Sequence, residues 1–235
     1  MRSIEVVYRH QDIIEESLSG KIAVIIDVLR ATTVLITALK NGAQSVKAIG
    51  AIEDALAYKE NHPEVLLGGE RNAAKIPGFQ LGNSPLEMTE KAISGKELVI
   101  CTTNGSQSVG KASQAPIMIA ASLVNAQAVT NFLLSEKLPI TIICSGTNGN
   151  YSSDDYWASG LLVSRLIEQQ NFYLTDGAQM ALSFYQHQKD PFLALKDCFH
   201  LNWLIQHNYQ DDVDFCLQLD IFNIVPKYQQ GCFKL

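Results

Sequence analysis

No run of basic residues, no Cys-x-x-Cys pair and no apolar stretch of membrane-spanning length occurs in this sequence, and each absence closes a class of function. A formal net charge of −6 without a basic cluster argues against nucleic acid or an anionic membrane as the main partner. The five cysteines (Cys101, Cys144, Cys198, Cys216 and Cys232) are odd in number and lack ligand spacing, which speaks against a disulfide framework or a zinc knuckle. The longest apolar stretches, such as Pro116–Val124, fall well short of the roughly 20 residues a membrane helix needs. Charges are scattered through Met1–Glu16 where a signal peptide would carry its apolar core. The expectation is a soluble, cytoplasmic chain, with homo-oligomerisation left open. Any anionic ligand must be met by a local positive site.

What is present is an ordinary globular composition, 47% apolar and 18% charged over 235 residues, enough for one large domain or two small intertwined ones. Short apolar runs at Ile4–Tyr8, Ile22–Ile26, Ser45–Ile49, Val65–Leu67, Leu98–Cys101, Ile117–Ala120 and Ile140–Cys144 read as strands. Helical spacing falls between them, at Thr33–Lys40, Glu53–Glu60 and Ala126–Leu134. That alternation predicts an α/β fold with mostly parallel or mixed sheets. The order strand, polar loop, helix, strand, helix, strand, loop runs from Ile22 and recurs from Leu98. It suggests two similar layered halves, residues 1–95 and 96–235, packed as one unit, with a mostly helical tail from Asp176 onward.

Ligands of open α/β sheets gather beyond the carboxyl ends of the strands, so the residues there matter most. They are Asp27 and Arg30; Gly68, Gly69, Glu70 and Arg71; "TTNGS" (102–106); and "SGTNGNYSSDD" (145–155). Carboxylates Asp27, Glu70 and Asp155 are of the kind that hold Mg²⁺ beside a substrate phosphate. The two arginines suit a phosphate or sulfonate, and glycine-rich loops let backbone N–H groups approach an anion.

Plainer explanations exist for each piece. Asp27 with Arg30, or Glu70 with Arg71, is also a salt-bridge pattern. "SPLE" (84–87) and "SSDD" (152–155) have the spacing of helix caps, and "TTNGS" that of a turn. The histidines at 10, 62, 187, 200 and 207 lie outside these loops and read as structural or solvated, and Cys101 and Cys144 as inert thiols within strands. Familiar phosphatase chemistries fail on inspection. An aspartyl-phosphate enzyme of the haloacid dehalogenase class needs a second acid where Leu29 stands. A cysteine phosphatase needs an arginine where Gln107 or Asn150 stands, and no GK[ST] phosphate loop occurs.

Taken in order, "IIDVLRATT", "GGER", "IPGFQLGNSP", "TTNGS" and "CSGTNGNYSSDDYWASG" closely resemble the 2-phosphosulfolactate phosphatase family, over nearly the whole chain. The resemblance implies a two-lobed α/β architecture and a Mg²⁺-dependent acid phosphatase that converts 2-phospho-3-sulfolactate to 3-sulfolactate and phosphate, a step towards coenzyme M. Three positions depart from the family pattern. Ser106 replaces threonine and Asp154 replaces glutamate, each keeping its chemical function, whereas Ser145 replaces alanine and adds polarity that could signal another substrate.

On this reading Mg²⁺ sits among Asp27, Glu70 and Asp155. Arg30 and Arg71 bind the anionic groups, Thr103, Asn104, Gly105 and Ser106 supply donors, and Asn83 and Ser84 border the pocket. Water attacks directly, or Asp27 is the nucleophile. Another small phosphorylated acid as substrate, or a non-catalytic anion-binding role, are the alternatives.

Overall fold

A computed structural model describes residues 1–235 in full. The elements in chain order are β1 (Arg2–Val7), β2 (Ile22–Ile26), α1 (Ala31–Lys40), β3 (Ser45–Ile49), α2 (Ile52–Asn61), β4 (Leu66–Arg71), β5 (Ala74–Lys75), α3 (Glu90–Ile93) and β6 (Glu97–Cys101). They continue with α4 (Gly105–Lys111), β7 (Ile117–Ala121), α5 (Ala126–Ser135), β8 (Ile140–Cys144), α6 (Ser153–Gln169), β9 (Phe172–Leu174) and α7 (Asp176–His187). Three further helices and two strands complete the chain: α8 (Pro191–Ala194), α9 (Phe199–Gln206), α10 (Gln210–Cys216), and the hairpin β10 (Lys227–Gln229) and β11 (Cys232–Lys234).

All strands join one sheet in the order β5-β4-β6-β3-β11-β10-β7-β2-β8-β1-β9. The pairs β1–β8, β1–β9, β2–β7, β2–β8, β3–β6 and β4–β6 are parallel, so the expected α/β fold with mostly parallel strands is what forms. Both faces of the sheet are covered, which is why β2 reads as unbroken Ile-Ala-Val-Ile-Ile with every residue buried. Its alternate residues feed two cores. Ile22, Val24 and Ile26 pack with α5, α6 and α9, while Ala23 and Ile25 pack with α1 and Phe233. Strands of residues 1–95 and 96–235 interleave, with β6 between β3 and β4 and β2 between β7 and β8.

Two expectations need correction. The tail from Asp176 carries four helices but ends in a hairpin, whose strands pair antiparallel with β7 through Lys227 and Ile119 and with β3 through Phe233 and Val46. It bridges two parallel blocks. The strand read as Val65–Leu67 runs instead to Arg71, because Gly69 at φ +150° lets the backbone press against β6, where a Cβ would lie 2.2 Å from the Cys101 carbonyl. "GGER" is therefore the end of a strand, turned back on β5, and not a loop.

Candidate active site

One cavity of about 560 Å³ opens at the carboxyl ends of β2, β3, β4, β6 and β8, with α9 also contributing to its wall. Four strands separate β2 from β6 in the sheet order, yet a Cβ on Gly105 would stand 3.0 Å from Asp27 Oδ2, so the sheet curls to bring the two ends together. That close approach explains a glycine at this position of "TTNGS".

The stretch from Asp27 to Thr33 is a tight, internally bonded loop. Thr32 Oγ1 accepts from the Asp27 N–H at 3.0 Å and donates to its carbonyl at 2.8 Å, and Thr33 Oγ1 donates to the Val28 carbonyl at 2.8 Å. Asp27 Oδ1 accepts from the Ala31 N–H at 3.1 Å. Burial, outweighing that hydrogen bond and joined by the charges of Asp154 and Glu70, pushes the Asp27 carboxyl up to about 7.

Of the residues singled out from sequence, Asp27, Arg30, Glu70, Arg71, Asn83, Thr103 and Asn104 line the cavity. Glu70 Oε1 accepts from the Thr103 hydroxyl at 3.2 Å and its Oε2 from the Ala73 N–H at 3.0 Å, which fixes the carboxylate across the β4 and β6 ends. Arg71 donates to the Glu70 and Gly50 carbonyls and pairs with no carboxylate, so the supposed Glu70–Arg71 salt bridge does not form. Asn83 makes no hydrogen bond within the chain, and its Oδ1 is the one buried side-chain oxygen or nitrogen without a partner. Arg30 is different: its guanidinium donates to Asp212 and, at 3.2 Å, to the Ala73 carbonyl, over the face of Tyr209 at 4.2 Å.

Asp155, Ser84, Gly105 and Ser106 lie off the cavity wall. Asp155 Oδ1 accepts from the Val28 N–H at 2.9 Å and Oδ2 from the Gly146 N–H at 3.0 Å, while Asp154 Oδ2 accepts from the Leu29 N–H at 3.2 Å. The paired acids thus brace the β2 loop, and no capping box forms at Ser152, whose hydroxyl donates to Asp154. Burial first, then the nearby charges of Asp154 and Asp27, raises the Asp155 carboxyl well above its ordinary value. Ser84 does cap the turn at Pro85–Glu87, and its hydroxyl donates to Asp212 Oδ1 at 2.6 Å. Ser106 Oγ donates to the Thr102 carbonyl at 2.9 Å. Ser145 is fully buried and accepts from Ser108 Oγ at 2.8 Å, so its added hydroxyl serves an internal bond and stays out of the cavity.

No three acidic, histidine or cysteine side chains converge as a ready ligand set. Asp155 spends both oxygens on backbone N–H groups and lies off the cavity wall, behind the loop that carries Asp27. Asp27 and Glu70, both on the cavity wall, still meet the requirement of Mg²⁺, which takes one or two carboxylates and completes its shell with water and phosphate. The structure also brings in His200, which the sequence reading set aside, and with it Phe199 and Trp203 of α9, all three on the cavity wall.

A profile of the 2-phosphosulpholactate phosphatase family matches residues 8–231. The chain belongs to that family. The family's "probable 2-phosphosulfolactate phosphatase" of Clostridium perfringens (strain SM101 / Type A) is 39% identical, with 98% of this chain and 95% of the relative aligned. Proteins of the same printed name from Clostridium beijerinckii and Clostridium tetani are each 36% identical, covering 97% and 99% of this chain and 97% and 100% of theirs. As in the rest of the chain, nothing in this phosphatase-family fold is a helix long and apolar enough to cross a membrane.

Proposed function

We propose that the chain is a Mg²⁺-dependent phosphatase that hydrolyses 2-phospho-3-sulfolactate to 3-sulfolactate and phosphate, the type of step that leads towards coenzyme M. The observation that carries the reading is the meeting of Asp27, Glu70, the carboxylate-free Arg71 and the unpartnered Asn83 amide in one polar cavity. Family membership supplies the reaction class. A purely anion-binding protein gains nothing from carboxylates beside its ligand, which favours catalysis over simple binding.

Asp27 and Glu70 would hold the ion, which when bound neutralises charge developing on the transferred phosphoryl group. Arg71 offers a planar fork to a phosphate, sulfonate or carboxylate without an acid to compete for it. Asn83 adds an amide, and Thr103 and Asn104 polar groups from the β6 end. Arg30 shares the wall with its charge offset by Asp212, so its part is to shape and orient. Phosphate release from a panel of phosphorylated hydroxy acids, with and without EDTA, tests the reading. Strongest turnover of phosphosulfolactate, abolished by chelation and restored by Mg²⁺, is expected; no release from any ester defeats it.

A further inference from the structure

We infer that His200 protonates the leaving oxygen when the phosphate ester breaks; this rests on the phosphatase reading above. The leaving group of a 2-hydroxy acid ester is a secondary alkoxide, far too basic to depart readily without a proton. Phosphoryl transfer builds negative charge on that oxygen, and a placed acid contributes on the order of 10²–10⁴-fold in rate.

Of the five histidines, His200 alone lines the cavity. Its Nε2 lies 2.8 Å from the Leu29 carbonyl oxygen. A carbonyl only accepts, so Nε2 carries a hydrogen and Nδ1 is left as the nitrogen that gains and loses a proton. Nδ1 has no partner in the chain, and it is not among the buried unpartnered atoms, so it is open to solvent. The ring lies nearly parallel to Trp203, 12° between planes at 6.0 Å, and its anchor, Leu29, is itself a cavity residue two positions beyond Asp27. The imidazole is therefore fixed in orientation on the wall of the cavity that holds Asp27 and Glu70, with its free nitrogen open to solvent. By contrast His10 is buried, with Nδ1 on the Ser145 carbonyl at 2.9 Å.

In the step, the attacking oxygen forms its bond to phosphorus as the ester P–O bond breaks. The bonding pair stays on the ester oxygen, which takes the proton from Nδ1 of the imidazolium. The neutral imidazole keeps its Nε2–H on Leu29. Where the nucleophile is water, the proton it releases balances the one that later restores the imidazolium.

The test is the dependence of kcat on leaving-group basicity, measured over 2-hydroxy acid phosphates from fluorinated to unsubstituted. His200→Gln is the chosen variant, since its amide can still donate to Leu29 but carries no acidic proton. Wild type is expected to show a shallow dependence and the variant a steep one. The loss on the most basic leaving group should be about 10²–10⁴-fold, vanishing towards the least basic, with KM little changed. Parallel slopes, or no loss at all, overturn the inference while leaving the phosphatase reading intact. Should the variant not fold, a steep slope in wild type alone overturns it. Failure of wild type to cleave any ester removes both readings together.

Discussion

The Arg30 guanidinium donates to the carboxylate of Asp212, 182 residues away in the chain, and both side chains are buried. Asp212 also accepts from Ser84, so one acid of α10 ties the loop after β2 to the turn at Pro85–Glu87. The arginine that looked like a partner for Asp27 makes its ion pair with Asp212 instead.

Truncating one partner should therefore be costly. Arg30→Ala leaves Asp212 charged and uncompensated in the interior, with an expected loss of about 3–5 kcal/mol in urea unfolding. Arg30→Met combined with Asp212→Leu should recover most of that loss, because the apolar pair needs no counter-charge. A single variant as stable as wild type contradicts the assignment.

Arg71 is expected to behave in the opposite way. Its bonds run to the Glu70 and Gly50 carbonyls at the cavity rim, so Arg71→Ala should cost no more than about 1 kcal/mol of stability. Catalysis should suffer far more, with kcat/KM down roughly 10²–10³-fold, as for a lost donor to an anion. Arg71→Lys should restore only a part, since an ammonium cannot reproduce the fork. Steady-state kinetics beside thermal unfolding separates the two effects.

Replacing acids should split them into two groups. Glu70→Gln should raise the Mg²⁺ concentration needed for half-maximal activity, with little change in melting. Asp155→Asn presents one acceptor to two buried N–H groups and should lower stability by about 1–3 kcal/mol while leaving the Mg²⁺ requirement near wild type. A Mg²⁺ titration of each variant distinguishes a ligand from a brace.

Thiol chemistry should be dispensable. Burial drives the Cys144 thiol far above its ordinary value, and burial likewise raises Cys101 despite the Arg71 guanidinium beside it. Cys144→Ser and Cys101→Ser should stay within a few-fold of wild-type kcat. A fall of about 10³-fold in a folded variant would point to a nucleophile.

Acid stability offers a check remote from the cavity. Burial tends to raise the Asp220 carboxyl, but the bidentate Arg165 guanidinium and the Gln127 N–H outweigh it and the value is lowered. The folded state then holds its proton less tightly than the unfolded chain. This contribution is complete above the unfolded value of about 3.9 and is lost as pH falls through the lower folded one. Asp220→Asn should accordingly melt below wild type at pH 7 and converge with it near pH 2.

Local signals made much of the fold legible. Ile22–Ile26, Ser45–Ile49 and Ile140–Cys144 form with the bounds read from sequence. The first and last are buried at every residue and stop where polar loop residues begin, as a doubly covered strand must. The hairpin was not legible: Lys227–Gln229 and Cys232–Lys234 are three residues each, and their register is set by strands over 100 residues earlier. In the site, the strand-end acids and Arg71 follow from the rule that ligands meet the carboxyl ends. Asp212 and His200 do not, since only the folded tail places α9 and α10 against that edge. Nor could spacing separate Asp155 from Asp27, as Asp155 is drawn off the cavity wall in part by the Val28 N–H, 127 residues away.

The hairpin's place in the sheet also bears on the order in which the protein can be made. Until Lys227–Lys234 have been synthesised, β3 with β6 and β4, and β2 with β7 and β8, are two blocks with bare facing edges. Exposed edges of this kind invite pairing with other nascent chains. The last residues translated are the ones that seal that gap, and the two acids of the cavity, Asp27 after β2 and Glu70 on β4, sit on opposite sides of it. A ribosome stalled shortly before residue 227 would thus hold a chain with most of its helices and neither a closed sheet nor a finished catalytic pocket.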